Sequence, residues 1–281
     1  MSLIKKIAIL GVGFMGGSLA LGLRKIFPKA RIYGYARSRS SYEKLSRLNI
    51  LSGVEQDLRK VIENSDIVVL AFPVYVIVDY FKRISPFLKK GAIVFDVGSS
   101  KALIEKSARR YLPKNVYFIG CHPLCGSDKS GAEFSKTDLY KDALCLITSS
   151  PSNNAIKVVK DIWERLGSKV VFVSASRHDK ILSSISHLNH IISFSITNSI
   201  LDSYLNFASP SLKDMTRISN SPSFVWADIF LSNKKNILKD IKRFTRILRK
   251  FEKLIAQGKK EQIIKLIEKA NKKQKSLTNQ Q

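Results

Sequence analysis

The chain contains four histidines, and all of them stand in two short polar stretches. His122 opens His122-Pro-Leu-Cys-Gly126, while His178, His187 and His190 fall in Arg177-His178-Asp179 and Ser186-His-Leu-Asn-His190. Imidazole exchanges protons near neutral pH, its unperturbed pKa being about 6.5. Clustering of this kind points to proton chemistry. A second group, Gly11-Val-Gly-Phe-Met-Gly16, is a G-x-G-x-x-G turn suited to phosphate. A third, Gly98-Ser99, adds a hydroxyl. Together they describe a proton acceptor and a hydroxyl working beside a bound dinucleotide.

A lone G-x-G-x-x-G is a weak signal, and its context decides it. Here the turn follows the apolar run Ile7–Leu10 and opens a helical pattern, the arrangement a dinucleotide fold requires. Glycine at 11 permits a tight turn, glycine at 13 leaves room for pyrophosphate, and glycine at 16 lets helix and strand pack closely. With Phe14 and Met15 between them, these residues present a helix N-terminus to the phosphates. Cofactor choice turns on the end of the second strand. An NAD enzyme usually carries Asp or Glu there, about twenty residues past the glycines. This chain reads Tyr35-Ala-Arg-Ser-Arg-Ser40, with no acid. Arg37, Ser38 and Arg39 suit a 2′-phosphate, so NADP is expected ahead of NAD.

Elements that would position these groups follow from patterning. Strands are predicted at Ile7–Leu10, Arg31–Tyr35, Asp66–Ala71, Ala92–Asp96, Val116–Gly120, Ala143–Ile147 and Lys169–Val173. Helices are predicted at 14–26, 40–48 (capped by Ser40 or Ser41), 57–64, 76–84, from Lys101 to about Tyr111, and 154–166. Strands alternating with helices imply a Rossmann-type, doubly wound parallel sheet. Ligands bind such sheets beyond the carboxyl ends of the strands, which is where Ser99 and His122 fall. Near Ser174 the pattern becomes helical, with helices at 181–201, 223–232 and one or two after Lys235. The reading is an α/β domain over 1–175 and an all-helical domain over 176–281, with frayed residues from Asn271 to Gln281.

Of the 281 residues, 44% are hydrophobic and 25% charged, as in a globular protein. The N-terminal apolar stretch holds Gly11, Gly13, Gly16, Gly17 and Gly22 and is followed by Arg24-Lys25, which excludes a signal peptide or membrane span. Three cysteines form no disulfide framework, and Cys121 and Cys125 have no second pair at zinc spacing. No metal is expected, and a reducing, cytoplasmic setting fits. The net charge of +26 raises nucleic-acid binding. From Lys234 onward there are 16 Lys and Arg against 4 Asp and Glu, but they are spread through helical patterning and lack interleaved base-stacking positions. A solvated surface that attracts small anions is the preferred reading. A basic nucleic-acid-binding protein with an inactive dinucleotide fold stands as the alternative.

Five motifs in order resemble the prephenate/arogenate dehydrogenase family of tyrosine biosynthesis. They are Gly11-Val-Gly-Phe-Met-Gly-Gly-Ser18, Asp96-Val-Gly-Ser-Ser-Lys101, His122-Pro-Leu-Cys-Gly126 running on to Gly131, Ser186-His-Leu-Asn-His190, and Asp214-Met-Thr-Arg-Ile218 followed by Trp226-Ala-Asp-Ile-Phe230. The resemblance implies oxidative decarboxylation. His122 would accept the ring hydroxyl's proton and Ser99 would orient that hydroxyl. Arg217 would clamp a carboxylate. His190 would contact substrate, His187 would be more structural, and Lys101 would support the loop or an anionic ligand. It also implies a homodimer, no nucleic acid and no membrane. Competing readings are that Ser99 only caps a helix, that Arg217 pairs with Asp214, that His178 makes a domain-junction hydrogen bond, and that Trp226 is helical core. Another hydroxyacid dehydrogenase or imine reductase of the same two-domain plan is the nearest alternative function. The sequence departs from the family at Asn189 (proline there), Asp128 (glutamate) and Ala36 (an acid). It is too short for an added chorismate mutase or regulatory domain, so feedback control through one is not expected.

Overall fold

The computed structural model describes residues 4–126, 130–148 and 154–278. Its sheet is built from β1 (Lys6–Leu10), β2 (Arg31–Tyr35), β3 (Gly53–Glu55), β4 (Ile67–Leu70), β5 (Ile93–Asp96), β6 (Tyr117–Pro123), β7 (Leu144–Ile147) and β8 (Lys169–Phe172). The strand order is β3-β2-β1-β4-β5-β6-β7-β8. The direction of winding reverses between β1 and β4, the place where doubly wound sheets bind ligands. Helices α1 (Phe14–Ile26), α2 (Arg39–Arg47), α3 (Leu58–Ile62), α4 (Val74–Ile84), α5 (Ala102–Tyr111) and α6 (Asn154–Arg165) connect the strands.

Both faces of the sheet are covered, which is why its strands read as unbroken apolar runs. Ile7 and Ile9 point to one layer with Leu19, Leu23, Ile162 and Trp163. Ala8 and Leu10 point to the other with Val61, Ile77, Phe81 and Ile104. The glycine turn is fixed by crowding. Gly11 has φ +90°, and a Cβ there would overlap the Ala71 carbonyl. A Cβ on Gly16 would overlap the Gly11 carbonyl.

In the sheet domain three expectations change. The sheet is not wholly parallel: β6 pairs in parallel with β5 up to Asp96↔Gly120, then runs antiparallel to β7 through Cys121↔Ile147 to Pro123↔Cys145. Among the described residues no α-helix lies between β6 and β7, only a 3₁₀ turn at Ala132–Phe134, so the chain can return antiparallel. β6 is therefore longer than Val116–Gly120, and His122 lies inside it. Second, the cap of α2 is Ser38, whose Oγ accepts from Ser41 N at 3.2 Å, one turn's start earlier than Ser40 or Ser41. Third, the edge strand β3, too short to show a pattern, was not expected.

The helical part begins at α7 (Ala175–Leu182), earlier than residue 181, with Ser174 as its cap. A π-helical turn at Ser183–His187 separates it from α8 (Leu188–Ser199). α9 (Pro210–Thr216) and a 3₁₀ turn at Arg217–Asn220 follow, then α10 (Ser223–Ser232). The compact unit ends at Lys234.

Residues from Lys235 onward form a second unit. It comprises α11 (Lys234–Ala256) and α12 (Lys260–Thr278). Gly258, at φ +61°, turns between them, its N–H donating to Ile255 O at 3.0 Å. The helix runs through Asn271 to Thr278, contrary to the expected fraying there; residues 279–281 lie outside the described residues. Leu238, Ile247, Leu248 and Ile255 on α11 and Ile264 and Ile267 on α12 are exposed. Among the described residues, no helix is long and apolar enough to cross a membrane.

Candidate active site

The carboxyl edge of the sheet gathers the motifs. Gly11 follows β1, Arg37 lies just past β2, and Gly98-Ser99 follows β5. His122 lies two residues beyond the last parallel pair, Asp96↔Gly120, in the part of β6 that pairs with β7. The glycine turn fits a dinucleotide phosphate. Among the described residues, and apart from its neighbours along the chain, no atom lies within 4 Å of where a Gly13 Cβ would be. The N-terminus of α1 has no side-chain cap and no acid in its first turn, leaving backbone N–H groups for an anion. Past β2, Ser38 is engaged as the α2 cap and Arg39 pairs with Glu43 at 3.0 Å. Arg37 is exposed and makes no ion pair among the described residues.

His122 is joined to the helical segment. Its Nδ1 lies 2.8 Å from His178 Nε2, and His178 Nδ1 lies 2.8 Å from Asp179 Oδ1. Asp179 also accepts from the backbone N–H of Lys101 at 2.7 Å and of Ala102 at 2.9 Å. The cap of α5 is thus a carboxylate 77 residues away in sequence. Ser99 does not serve that function, and its partly exposed hydroxyl has no partner among the described residues. Ser100, by contrast, is buried and donates to Ser232 Oγ at 2.8 Å.

Charge is tightly managed around these imidazoles. Burial pushes His122 well below the ordinary histidine value, with His178, Lys101 and His187 adding to the effect. Burial also lowers His178, against the opposing pull of Asp179. Burial alone would raise the Asp179 carboxyl, but its hydrogen bonds from His178, Lys101 and Ala102 hold it below the usual range. Beneath them Lys101 is fully buried, its ammonium on Asp96 Oδ2 and donating to Cys121 O at 2.7 Å. Burial raises the Asp96 carboxyl and Lys101 pulls it back. Of the two functions expected for Lys101, this geometry serves the loop-supporting one, because its ammonium is enclosed by protein.

Three further expected residues lie on the helical side. His190 stacks on Trp226 with ring centroids 3.4 Å apart, and its Nδ1 lies 3.1 Å from Ser186 O. Burial lowers its pKa, and nearby Arg217 lowers it further. Arg217 is exposed and forms no ion pair with Asp214 or any other described residue. Its segment is pinned to α8 by Ser193 Oγ donating to Met215 O at 3.0 Å and Thr197 Oγ1 to Ser219 Oγ at 3.1 Å. His187 is buried against Asn233, which also donates to the Asp179 carbonyl at 2.7 Å. Burial drives the pKa of His187 down to about 4, consistent with a structural part. Asn189 donates to Ile185 O at 2.8 Å, a local bond in place of a proline's bend. Asp128 lies outside the described residues.

Asp179 and Asn233 join the site without a motif that marks them, and Trp226 is not simply helical core. Trp226 is partly exposed and forms one wall beside His190. The usable signal was Arg177-His178-Asp179, a polar triplet where strand patterning ends.

An open glycine turn at the switch point, with a histidine and a free hydroxyl on the same edge, defines a dinucleotide-dependent oxidoreductase. Comparison with known proteins narrows the class. Residues 19–172 match the family model for the prephenate dehydrogenase nucleotide-binding domain, and residues 174–269 match that for the prephenate dehydrogenase dimerization domain. The chain is 28% identical to a cyclohexadienyl dehydrogenase of Zymomonas mobilis, across 91% of this chain and 90% of that protein. It is 30% identical to a prephenate dehydrogenase of Lactococcus lactis, across 87% of this chain and 70% of the relative. A crystal structure of Aquifex aeolicus prephenate dehydrogenase with hydroxyphenyl propionate and NAD+ superposes with a TM-score of 0.86 at 31% identity, covering 99% of this chain and all of the other. The chain belongs to the prephenate dehydrogenase family of NAD(P)-dependent oxidoreductases.

The Lys101–Asp96 pair yields a stability test. Lys101→Met strands a buried carboxylate and should cost about 3–5 kcal/mol. Adding Asp96→Asn should recover part of that loss in denaturant titrations. Equal stability of Lys101→Met and the parent would show that the pair is not holding the turn.

Proposed function

We propose that this chain catalyses the oxidative decarboxylation of prephenate, or of its amino counterpart arogenate, giving 4-hydroxyphenylpyruvate or tyrosine. NADP is the preferred acceptor and NAD the alternative. The observation that carries the reading is the hydrogen-bonded line from His122 through His178 to Asp179, whose carboxylate holds the N–H groups of Lys101 and Ala102 just past Gly98-Ser99. Gly11, Gly13, Phe14, Met15 and Gly16 would hold the pyrophosphate at the N-terminus of α1. Arg37 would meet a 2′-phosphate, being the basic group past β2 whose charge is not already paired. When bound, the nicotinamide supplies a hydride acceptor for the hydroxyl-bearing ring carbon.

The chain's own residues do the rest. His122 takes the hydroxyl proton. Its depressed pKa keeps the imidazole neutral, and therefore basic, at neutral pH. Ser99 orients the hydroxyl with a side chain that no helix cap consumes. Arg217 grips a carboxylate, for which its planar guanidinium is well matched, and His190 on its Trp226 platform contacts the substrate side chain. Loss of the opposite ring carboxylate as carbon dioxide completes an aromatic ring and makes the step irreversible.

The same reading divides labour near residue 175, with the sheet over 1–175 seating the cofactor and the helices over 176–281 supplying substrate contacts and self-association. The exposed apolar side chains of α11 and α12 support a homodimer. A small anionic substrate, rather than nucleic acid or a membrane, is the partner, and the setting is the cytoplasm.

Reduced-nicotinamide absorbance, with prephenate and arogenate each crossed with NADP and NAD, tests the reaction. His122→Asn should lower kcat about 10²–10⁴-fold while nucleotide binding survives, and undiminished turnover would remove it as the base. Arg217→Ala should raise the apparent KM for substrate about tenfold to a hundredfold; an unchanged KM would reject the clamp. Arg37→Ser should weaken NADP about tenfold and leave NAD unaffected, whereas equal effects on both would reject the 2′-phosphate contact.

A further inference from the structure

We infer that His178 and Asp179 are positioning residues that set the tautomer of His122, leaving its Nε2 unprotonated as the proton-accepting atom. The inference rests on His122 being the base of the proposed reaction. It starts from Asp179, whose two oxygens face donors only: the backbone N–H groups of Lys101 and Ala102 and the ring of His178. An ionised carboxylate has no proton to give. His178 Nδ1 must therefore carry the hydrogen in that contact.

A neutral His178 then has its lone pair at Nε2, the atom 2.8 Å from His122 Nδ1. Two nitrogen lone pairs at that distance repel, so His122 Nδ1 must be the donor. The one remaining nitrogen of His122, Nε2, is left with its lone pair. The order of hydrogens runs from His122 Nδ1–H to His178 Nε2, and from His178 Nδ1–H to Asp179 Oδ1. The opposite wiring would give His122 an Nε2–H, a donor unable to accept a hydroxyl proton.

The chain of contacts does a second thing. When Nε2 of His122 gains the substrate proton, the positive charge forms one imidazole away from a carboxylate. The other charged or titratable groups acting on the two rings are Lys101, His187 and Asp96. Lys101 is neutralised by contact with Asp96, so Asp179 is the anion in hydrogen-bonded line with the base. Its backbone donors are the first N–H groups of α5, and they belong to the segment directly following Ser99. One carboxylate thus holds the hydroxyl-bearing turn and orients the base.

The tautomer can be read without substrate. With isotope-labelled histidine, the ring nitrogens of the resting full-length protein report which atom bears hydrogen, and His122→Asn assigns the signal by its loss. The expected result is Nδ1–H with a bare Nε2 for both His122 and His178. Asp179→Asn, if it folds, should reverse this. His178→Leu removes the acceptor and should lower kcat about 10²-fold or more with nucleotide binding unchanged. His178→Gln, whose amide oxygen accepts from His122 and whose NH2 can donate to Asp179, should restore most of that loss. A resting His122 protonated at Nε2, or a His178→Leu enzyme with the parent's kcat, would overturn the inference. Failure of the parent to turn over prephenate and arogenate would instead defeat the proposed function, with the tautomer still measured.

Discussion

A single buried carboxylate, Asp179, organises the region where the sheet meets the first helices beyond it. It caps α5 from a distance, donates nothing, and accepts from His178. Capping by a side chain far away in sequence is a tertiary device. It stabilises a helix N-terminus, where negative charge is favoured, and at the same time specifies how two segments dock. Ser99 is thereby relieved of the capping that its position would otherwise invite. Its hydroxyl is left available because another residue performs that local task.

The neighbouring ion pair shows a different solution to burial. Lys101 and Asp96 are both inaccessible, and burying two charges is costly unless each is well partnered. Asp96 Oδ2 receives Lys101 and Gly98 N, and Lys101 adds the Cys121 carbonyl. The pair therefore stitches the ends of β5 and β6 together directly under Gly98 and His122. The tie matters there because β6 leaves β5 after Gly120 and turns its hydrogen bonding to β7.

How much of this was readable varies with the range of the interactions involved. Strands with both faces buried announce themselves as apolar runs, so β1, β2, β4 and β5 and the exact span of α1 were legible. Strand direction is not written in such runs, which is why the antiparallel β7 escaped. The π-helical turn at Ser183–His187 escaped because one extra residue per turn scarcely disturbs apolar spacing over a few residues. The placing of His122 and Ser99 toward the carboxyl edge was legible because each comes within a few residues of an apolar run. Arg217 and His190 were recognisable only by resemblance, since the turn that brings them near each other is short and irregular. Lys101 misled because lysine is rarely fully buried, and its partner lies on the preceding strand.

The abundance of positive charge and the neutrality of the histidines are linked. Lys101 and Arg217 each add to burial in lowering the pKa of a neighbouring imidazole, His122 in one case and His190 in the other. In the resting protein this keeps His122 free of a proton, at the cost of making it a weaker base. In the proposed reaction a substrate bearing two carboxylates would meet Arg217, the guanidinium that lowers His190. Nearby negative charge favours a protonated imidazole, so His190 is the ring whose basicity such a substrate would raise. A net charge of +26 would then act in the encounter, drawing in anions, while the chemistry depends on a few positive groups already satisfied by partners or awaiting a carboxylate. An imidazole held neutral by burial, as His122 is, would need no prior loss of a proton before accepting one.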